Sequence, residues 1–240
     1  MAAALEICVD TPDGLAAALA GGADRIELCS ALALGGLTPS AGLVAAAAGA
    51  GVPVRAMIRP RAGGFVLSPA DLEVSLGDLR AMRAAGLEGV VLGAARADGS
   101  LDTEALARLR EAAGPMAATL HRVFDLTPDP EAALEQAIDL GFDCILTSGQ
   151  APSAPAGAAL IARLTERAQG RIAIMAGGGV TAQAAPALIE TGAAWLHASC
   201  KGDDETAPAL MALGAPARTD AARIEALRRA MTTTEAGVPA

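Results

Sequence analysis

The chain is poor in aromatic residues, with no tyrosine, one tryptophan and three phenylalanines in 240 residues. A core assembled around large rings is thereby excluded. Packing must come from Ala, Leu, Val and Ile, which suits helices closely packed on a parallel sheet. No apolar run reaches the roughly 18 residues that a membrane span needs. The opening MAAALEICVD lacks the basic n-region of a signal peptide and runs straight into a predicted strand. The four cysteines show no CxxC spacing, so reduced thiols and a cytoplasmic location are expected. Basic residues are outnumbered: net charge is −9, which repels phosphate backbones and argues against nucleic-acid binding. Walker, GxGxxG and HExxH motifs are missing.

What the chain does have is a recurring unit, seen most clearly around Leu120–Asp125, reading LHRVFD. An apolar run, Pro115–Leu120, leads into His121, one of only two histidines, with Arg122 and Asp125 beside it. Thr127-Pro128-Asp129-Pro130-Glu131 leads out with turn and helix-start residues. The same layout, a short strand ending in polar residues and then a helix, recurs about eight times. Strands are predicted at Leu5–Val9, Asp24–Ser30, Val52–Ile58, Gly89–Gly93, the Leu120–Asp125 stretch, which carries His121, Arg122 and Asp125 at its C-terminal end, Phe142–Thr147, Arg171–Ala176 and Ala193–His197. Helix starts are read at Thr11-Pro12-Asp13, Thr38-Pro39-Ser40, Ser68-Pro69-Ala70-Asp71, Thr181 and Thr219-Asp220. Leu72, Leu76, Leu79 and Met82 share one helix face.

Strands of about five residues alternating with longer helices predict parallel pairing through crossover helices. Eight units in this length match an α/β fold, a single (β/α)8 TIM-like barrel. A doubly wound open sheet is the rival, and the even spacing favours the barrel. Residues 1–231 are assigned to one barrel domain and 232–240 to a short, frayed C-terminal tail.

In such a barrel the loops after the strands share one face, where sites are built. Glu6 and Glu27 are carboxylates inside short apolar strands and need cationic or donor partners, which Arg25, Arg59, Arg61 and Arg122 can supply. They serve either a site or a structural ion network. Glu6-x-Cys8 and Glu27-x-Cys29 repeat one spacing, and each Glu shares a strand face with its Cys. If their strands are neighbours, Cys8 and Cys29 can approach as a thiolate pair suited to Cu(I); the alternative is two small buried apolar residues. His121 is a candidate general acid or base oriented by Asp125 or a glutamate. His197 and Ser148 end two further strands. Gly177, Gly178 and Gly179 sit where barrels often hold phosphate through backbone N–H groups and the next helix N-terminus. With Arg59 and Arg61 they point to a small anionic ligand.

These segments, in order, resemble the CutC family, named for copper homeostasis: LEICVD at 5–10, ADRIELCSALALGGLTPS at 23–40, MIRPR at 57–61, VLGA at 91–94, LHRVFD at 120–125, ILTSG at 145–149, IMAGGGV at 174–180 and LHASC at 196–200. The resemblance implies a TIM-like barrel in the cytoplasm that self-associates as a homo-oligomer, with Cu(I) as a suggested ligand of Cys8 and Cys29. The loop MIRPRAGGF departs from many relatives, which carry a second acidic residue before the Phe. Two functions follow. One is copper binding through the cysteines. The other is an enzyme of lyase, isomerase or glycosidase type on a small anionic or sugar-like compound, with Glu6, Glu27, His121 and Asp125 as catalytic groups and Arg25, Arg59, Arg61, Arg122, Ser148, Gly177, Gly178, Gly179 and His197 as binding groups.

Overall fold

The computed structural model describes residues 3–202 and 218–236. Eight parallel strands close into a barrel in chain order. They are β1 (Ala4–Val9), β2 (Arg25–Leu28), β3 (Val54–Met57), β4 (Gly89–Leu92), β5 (Ala117–Leu120), β6 (Cys144–Thr147), β7 (Ala173–Gly177) and β8 (Trp195–Ala198). The helices are α1 (Pro12–Ala20), α2 (Ala41–Ala47), α3 (Pro69–Ala84), α4 (Thr103–Ala113), α5 (Pro130–Asp139), α6 (Ala158–Ala168), α7 (Ala185–Ile189) and α8 (Ala221–Ala236). The fold is therefore the (β/α)8 barrel expected from the sequence.

Alternation along each strand divides the side chains between two cores. Leu5, Ile7, Val9, Ile26 and Leu28 face the helices and join the main apolar core. The residues between them, Glu6, Cys8, Arg25 and Glu27, face the barrel interior and meet one another there. The interior is thus unusually polar for a barrel, whose layers are ordinarily filled by branched apolar residues. A separate polar cluster lies at the strand starts. Arg55 donates to Thr119 Oγ1 at 2.8 Å and to Asp143 at 2.5 Å, and pairs with Glu88 at 3.2 Å. Gly89 makes room for it, since a Cβ there would meet Ala117 O at 2.7 Å and Arg55 Cγ at 3.0 Å. This is the structural ion network anticipated for the barrel, built from different residues.

Helix starts follow the local signals. Thr11 Oγ1 accepts from Gly14 N, and Ser40 Oγ from Leu43 N. Ser68 and Asp71 form a reciprocal capping box, and Asp129 accepts from Glu131 and Ala132 N. Three boundaries differ from expectation. The chain after β5 leaves extended structure at once, and Arg122–Leu126 coils into a 3-10 turn capped by His121 Nδ1. The helix expected from Thr181 begins only at Ala185, because Pro186 favours a first-turn position and lacks the N–H an earlier start would use. The last helix continues past Met231 to Ala236, where a frayed tail was expected. Of the long loop read after β8, Gly202 is described, while Pro208, Gly214 and Pro216 lie outside the described residues.

Candidate functional site

The C-terminal ends of the strands open into a cavity of about 590 Å3. Cys8, Glu27, His121, Arg122 and His197 reach it, with Met57, Phe65 and Leu146 as apolar wall.

Its floor is set by strand register. Glu6 on β1 lies level with Arg25 on β2 and His197 on β8. Fully buried, Glu6 receives the Arg25 Nε–H on one oxygen and stands 2.8 Å from His197 Nδ1 with the other. Arg25 is held in turn, its guanidinium 3.7 Å from the Trp195 ring centroid and Nη2 3.4 Å from Met175 Sδ. Burial alone would raise the Glu6 pKa. The His197 hydrogen bond and the Arg25 charge outweigh it and hold the carboxyl near 2. Glu6 is therefore an anion that accepts from His197 Nδ1–H, which leaves Nε2 facing Cys8 and Glu27. Burial likewise disfavours the His197 cation, but the negative ends of Cys8, Glu27 and Glu6 around it raise its pKa above the ordinary histidine value.

Two residues up from this layer, Cys8 is level with Glu27. Glu27 Oε2 lies 3.7 Å from His197 Nε2 and accepts from Cys29 Sγ at 3.5 Å, while Oε1 is buried with no partner among the described residues. Burial raises the Glu27 pKa, and the His197 charge offsets this only in part. Cys8, Glu27 and His197 each present a ligand atom within 4.8 Å of the other two. Cys29 does not join this group. Beyond the end of β2, it packs with Met57, Val91 and Leu32. Burial, then the Glu27 charge, pushes its thiol well above the usual range.

The wall above the floor comes from the turn after β5. His121 Nδ1 accepts from Val123 N–H at 3.1 Å, so the ring proton sits on Nε2, a buried atom without a partner among the described residues. Burial, then the Arg59 charge, drives its pKa down to about 3, leaving a neutral imidazole. The ring packs 4.7 Å from Phe65 and directly over Gly93. Arg59 lines the cavity; its Nη1 and Nη2 bond Leu34 O, Gly36 O and Gly63 O and so tie two loops together, while its buried Nε has no partner among the described residues. Arg122 is clamped by Asp125 at 2.7 Å and Ser148 Oγ at 2.7 Å.

Of the remaining expected residues, Gly178 and Gly179 line the cavity, whereas Gly177 lies beneath it, against Leu146 and His197. The helix that follows the triplet is only five residues long and starts at Ala185, so it offers the glycines no helix N-terminus. Arg61 lies outside the cavity, paired with Asp71 at 3.0 Å. Asp125 and Ser148 stand behind Arg122, and Glu6 and Arg25 stand behind His197.

The family model of the CutC family matches residues 3–202. The chain belongs to the CutC family. A CutC family protein of Sinorhizobium medicae (strain WSM419) is 55 % identical over 230 residues, covering 93 % of this chain and 94 % of that one. A second, from Caulobacter vibrioides (strain NA1000 / CB15N), is 51 % identical over 212 residues, covering 88 % and 86 %. The crystal structure of CutC from Streptococcus agalactiae superposes with a TM-score of 0.79 at 33 % identity, covering 83 % of this chain and 99 % of that one.

Two site features escaped the sequence reading. Gly93 was read as the end of a strand, yet a Cβ there would stand 1.9 Å from His121 Cε1. Only glycine admits the ring. Phe65, the wall behind that ring, comes from the MIRPRAGGF loop. The scarcity of aromatics was the available signal for it: one of three phenylalanines sits in a polar, glycine-rich loop.

Proposed function

We propose that this CutC family chain binds copper(I) at the barrel floor, through Cys8 and His197, as a copper-homeostasis protein of the cytoplasm, where thiols stay reduced. The observation that carries this reading is the approach of Cys8, Glu27 and His197 to within 4.8 Å of one another. Cu(I) is soft; thiolate suits it and imidazole is an accepted copper ligand. Glu6 supplies the outer support a metal-binding histidine needs, holding Nδ1–H so that Nε2, on release of its proton, would face the ion. The buried Glu27 Oε1, without a partner among the described residues, gives the floor a further acceptor.

This reading replaces the Cys8–Cys29 pair expected from sequence spacing. Cys29 donates to Glu27 and packs with Met57, Val91 and Leu32, outside the group that Cys8, Glu27 and His197 form. The test is anaerobic Cu(I) titration of the full chain against a competing chelator. Cys8→Ser and His197→Gln are each expected to weaken binding at least a hundredfold, and Cys29→Ser to change it less than threefold. Loss of binding in Cys29→Ser, or its retention in Cys8→Ser, contradicts the reading.

A further inference from the structure

His121 and Arg122 take no part in the copper site, yet both are fixed with unusual care at the cavity wall. His121 is 4 % exposed and confined by Phe65, by Val123 N–H and by the space that Gly93 leaves. Its remaining polar atom, Nε2–H, is buried and has no acceptor among the described residues. A buried donor that a protein leaves unpaired is ordinarily satisfied by something else, and His121 lines the cavity.

Arg122 is held with equal care. Asp125, which grips its Nε, is itself fixed by Thr147 Oγ1, by Ser148 N–H at 3.1 Å and by Gln150 N–H at 3.2 Å. Ser148 Oγ holds Nη2 and is anchored on Ala151 O at 2.7 Å. The third nitrogen, Nη1, lies over Gly178, where a Cβ would come within 3.4 Å of it. The chain carries a net charge of −9. Among the described residues, the cavity lining carries the cations Arg59, Arg122, Lys201 and Arg223 and the carboxylate of Glu27. A concave site of one sign within an opposite field concentrates ligands of opposite charge.

We propose that the cavity above the floor binds a small organic anion, with its phosphate or carboxylate on Arg122 beside Gly178 and a neutral carbonyl or hydroxyl oxygen accepting from His121 Nε2–H. The site uses other residues than the copper reading, and either can fail without the other. It is the place at which a lyase- or isomerase-type reaction would polarise a carbonyl, since a neutral imidazole donor does that without giving up its proton. It is less suited to glycosidic chemistry, which needs two carboxylates facing the substrate. Glu6 is shut behind His197.

The test is calorimetric titration of chelator-treated, full-length protein with four probes: dihydroxyacetone phosphate, pyruvate, dihydroxyacetone and inorganic phosphate. Dihydroxyacetone phosphate or pyruvate is expected to bind at least tenfold more tightly than dihydroxyacetone, and the stronger of the two identifies the anion. Arg122→Gln is expected to weaken that ligand at least tenfold. His121→Leu is expected to weaken the same ligand while leaving inorganic phosphate within threefold of wild type. If His121→Leu does not fold, Arg122→Gln, at a half-exposed side chain, carries the test. Failure of both organic anions to bind at millimolar concentration overturns the proposal, as does binding that survives Arg122→Gln unchanged.

Discussion

A histidine buried next to an arginine is a poor base, and this is the state the barrel imposes on His121. Its proton affinity falls because burial penalises the cation and Arg59 repels it. The consequence for stability has a definite sign. The unfolded chain takes up a proton on this histidine near 6.5, whereas the folded chain does so only near 3. Between these values the unfolded state holds the extra proton, so stability is full above 6.5 and falls as the pH drops towards 3, by up to about 1.4 kcal/mol per pH unit. Glu6, displaced from 4.5 to about 2, adds its own loss only below 4.5. His197 and Glu27, whose pKa values folding raises, act in the opposite direction in this window, so the His121 contribution is read as a difference: chemical denaturation at pH 7, 6 and 5 is expected to show wild type losing stability relative to His121→Leu as the pH falls. The same residue depends on Gly93. Gly93→Ala is expected to cost about 1–3 kcal/mol as the ring is forced aside, read as a lower melting temperature. At this scale the sequence revealed the charged and titratable residues, because polar side chains in apolar strands stand out. It concealed the partner of Cys8. Two Glu-x-Cys repeats suggested two thiols, but a parallel register that sets Cys8 beside Glu27 and Glu6 beside His197 brings a histidine from the last strand instead.

Among the elements, the helix starts were the most legible features, because a cap is a local bargain between a side chain and the next turn. Ser68 shows it best: its hydroxyl takes Asp71 N–H at 3.1 Å while Asp71 returns a bond to Ser68 N–H at 2.9 Å. Ser68→Ala is expected to destabilise the protein by about 1 kcal/mol, measured by urea unfolding, with metal binding unchanged. Where a boundary depended on tertiary demands, the reading went astray. The turn after β5 coils because His121 itself caps it, and α7 is short because Pro186 delays its start. The phosphate role expected of the glycine triplet relied on that helix. The glycines serve the cavity in another way, with Gly178 making room for Arg122.

For the molecule as a whole, regular alternation of strand and helix was enough to give the closed barrel, since parallel strands in sequence order leave few other ways to bury eight amphipathic units. What alternation could not show was how charge is distributed inside. Two polar clusters occupy the barrel at different depths: Arg55 with Glu88 and Asp143 at the strand starts, and Arg25 with Glu6 and His197 below the cavity. The first is a brace remote from the ligand atoms. Arg55→Met is expected to cost about 1–3 kcal/mol, the usual penalty for leaving hydrogen-bonding partners unmatched, and to leave copper affinity intact. The second organises the floor, and the central claim is that it presents one sulfur and one imidazole to copper. The measurement that tests this most directly is copper-edge X-ray absorption on the full chain loaded anaerobically with one equivalent of Cu(I). One sulfur and one nitrogen scatterer, with the sulfur lost in Cys8→Ser and kept in Cys29→Ser, is the predicted result. Two sulfur scatterers, or a spectrum indifferent to His197→Gln, would contradict it.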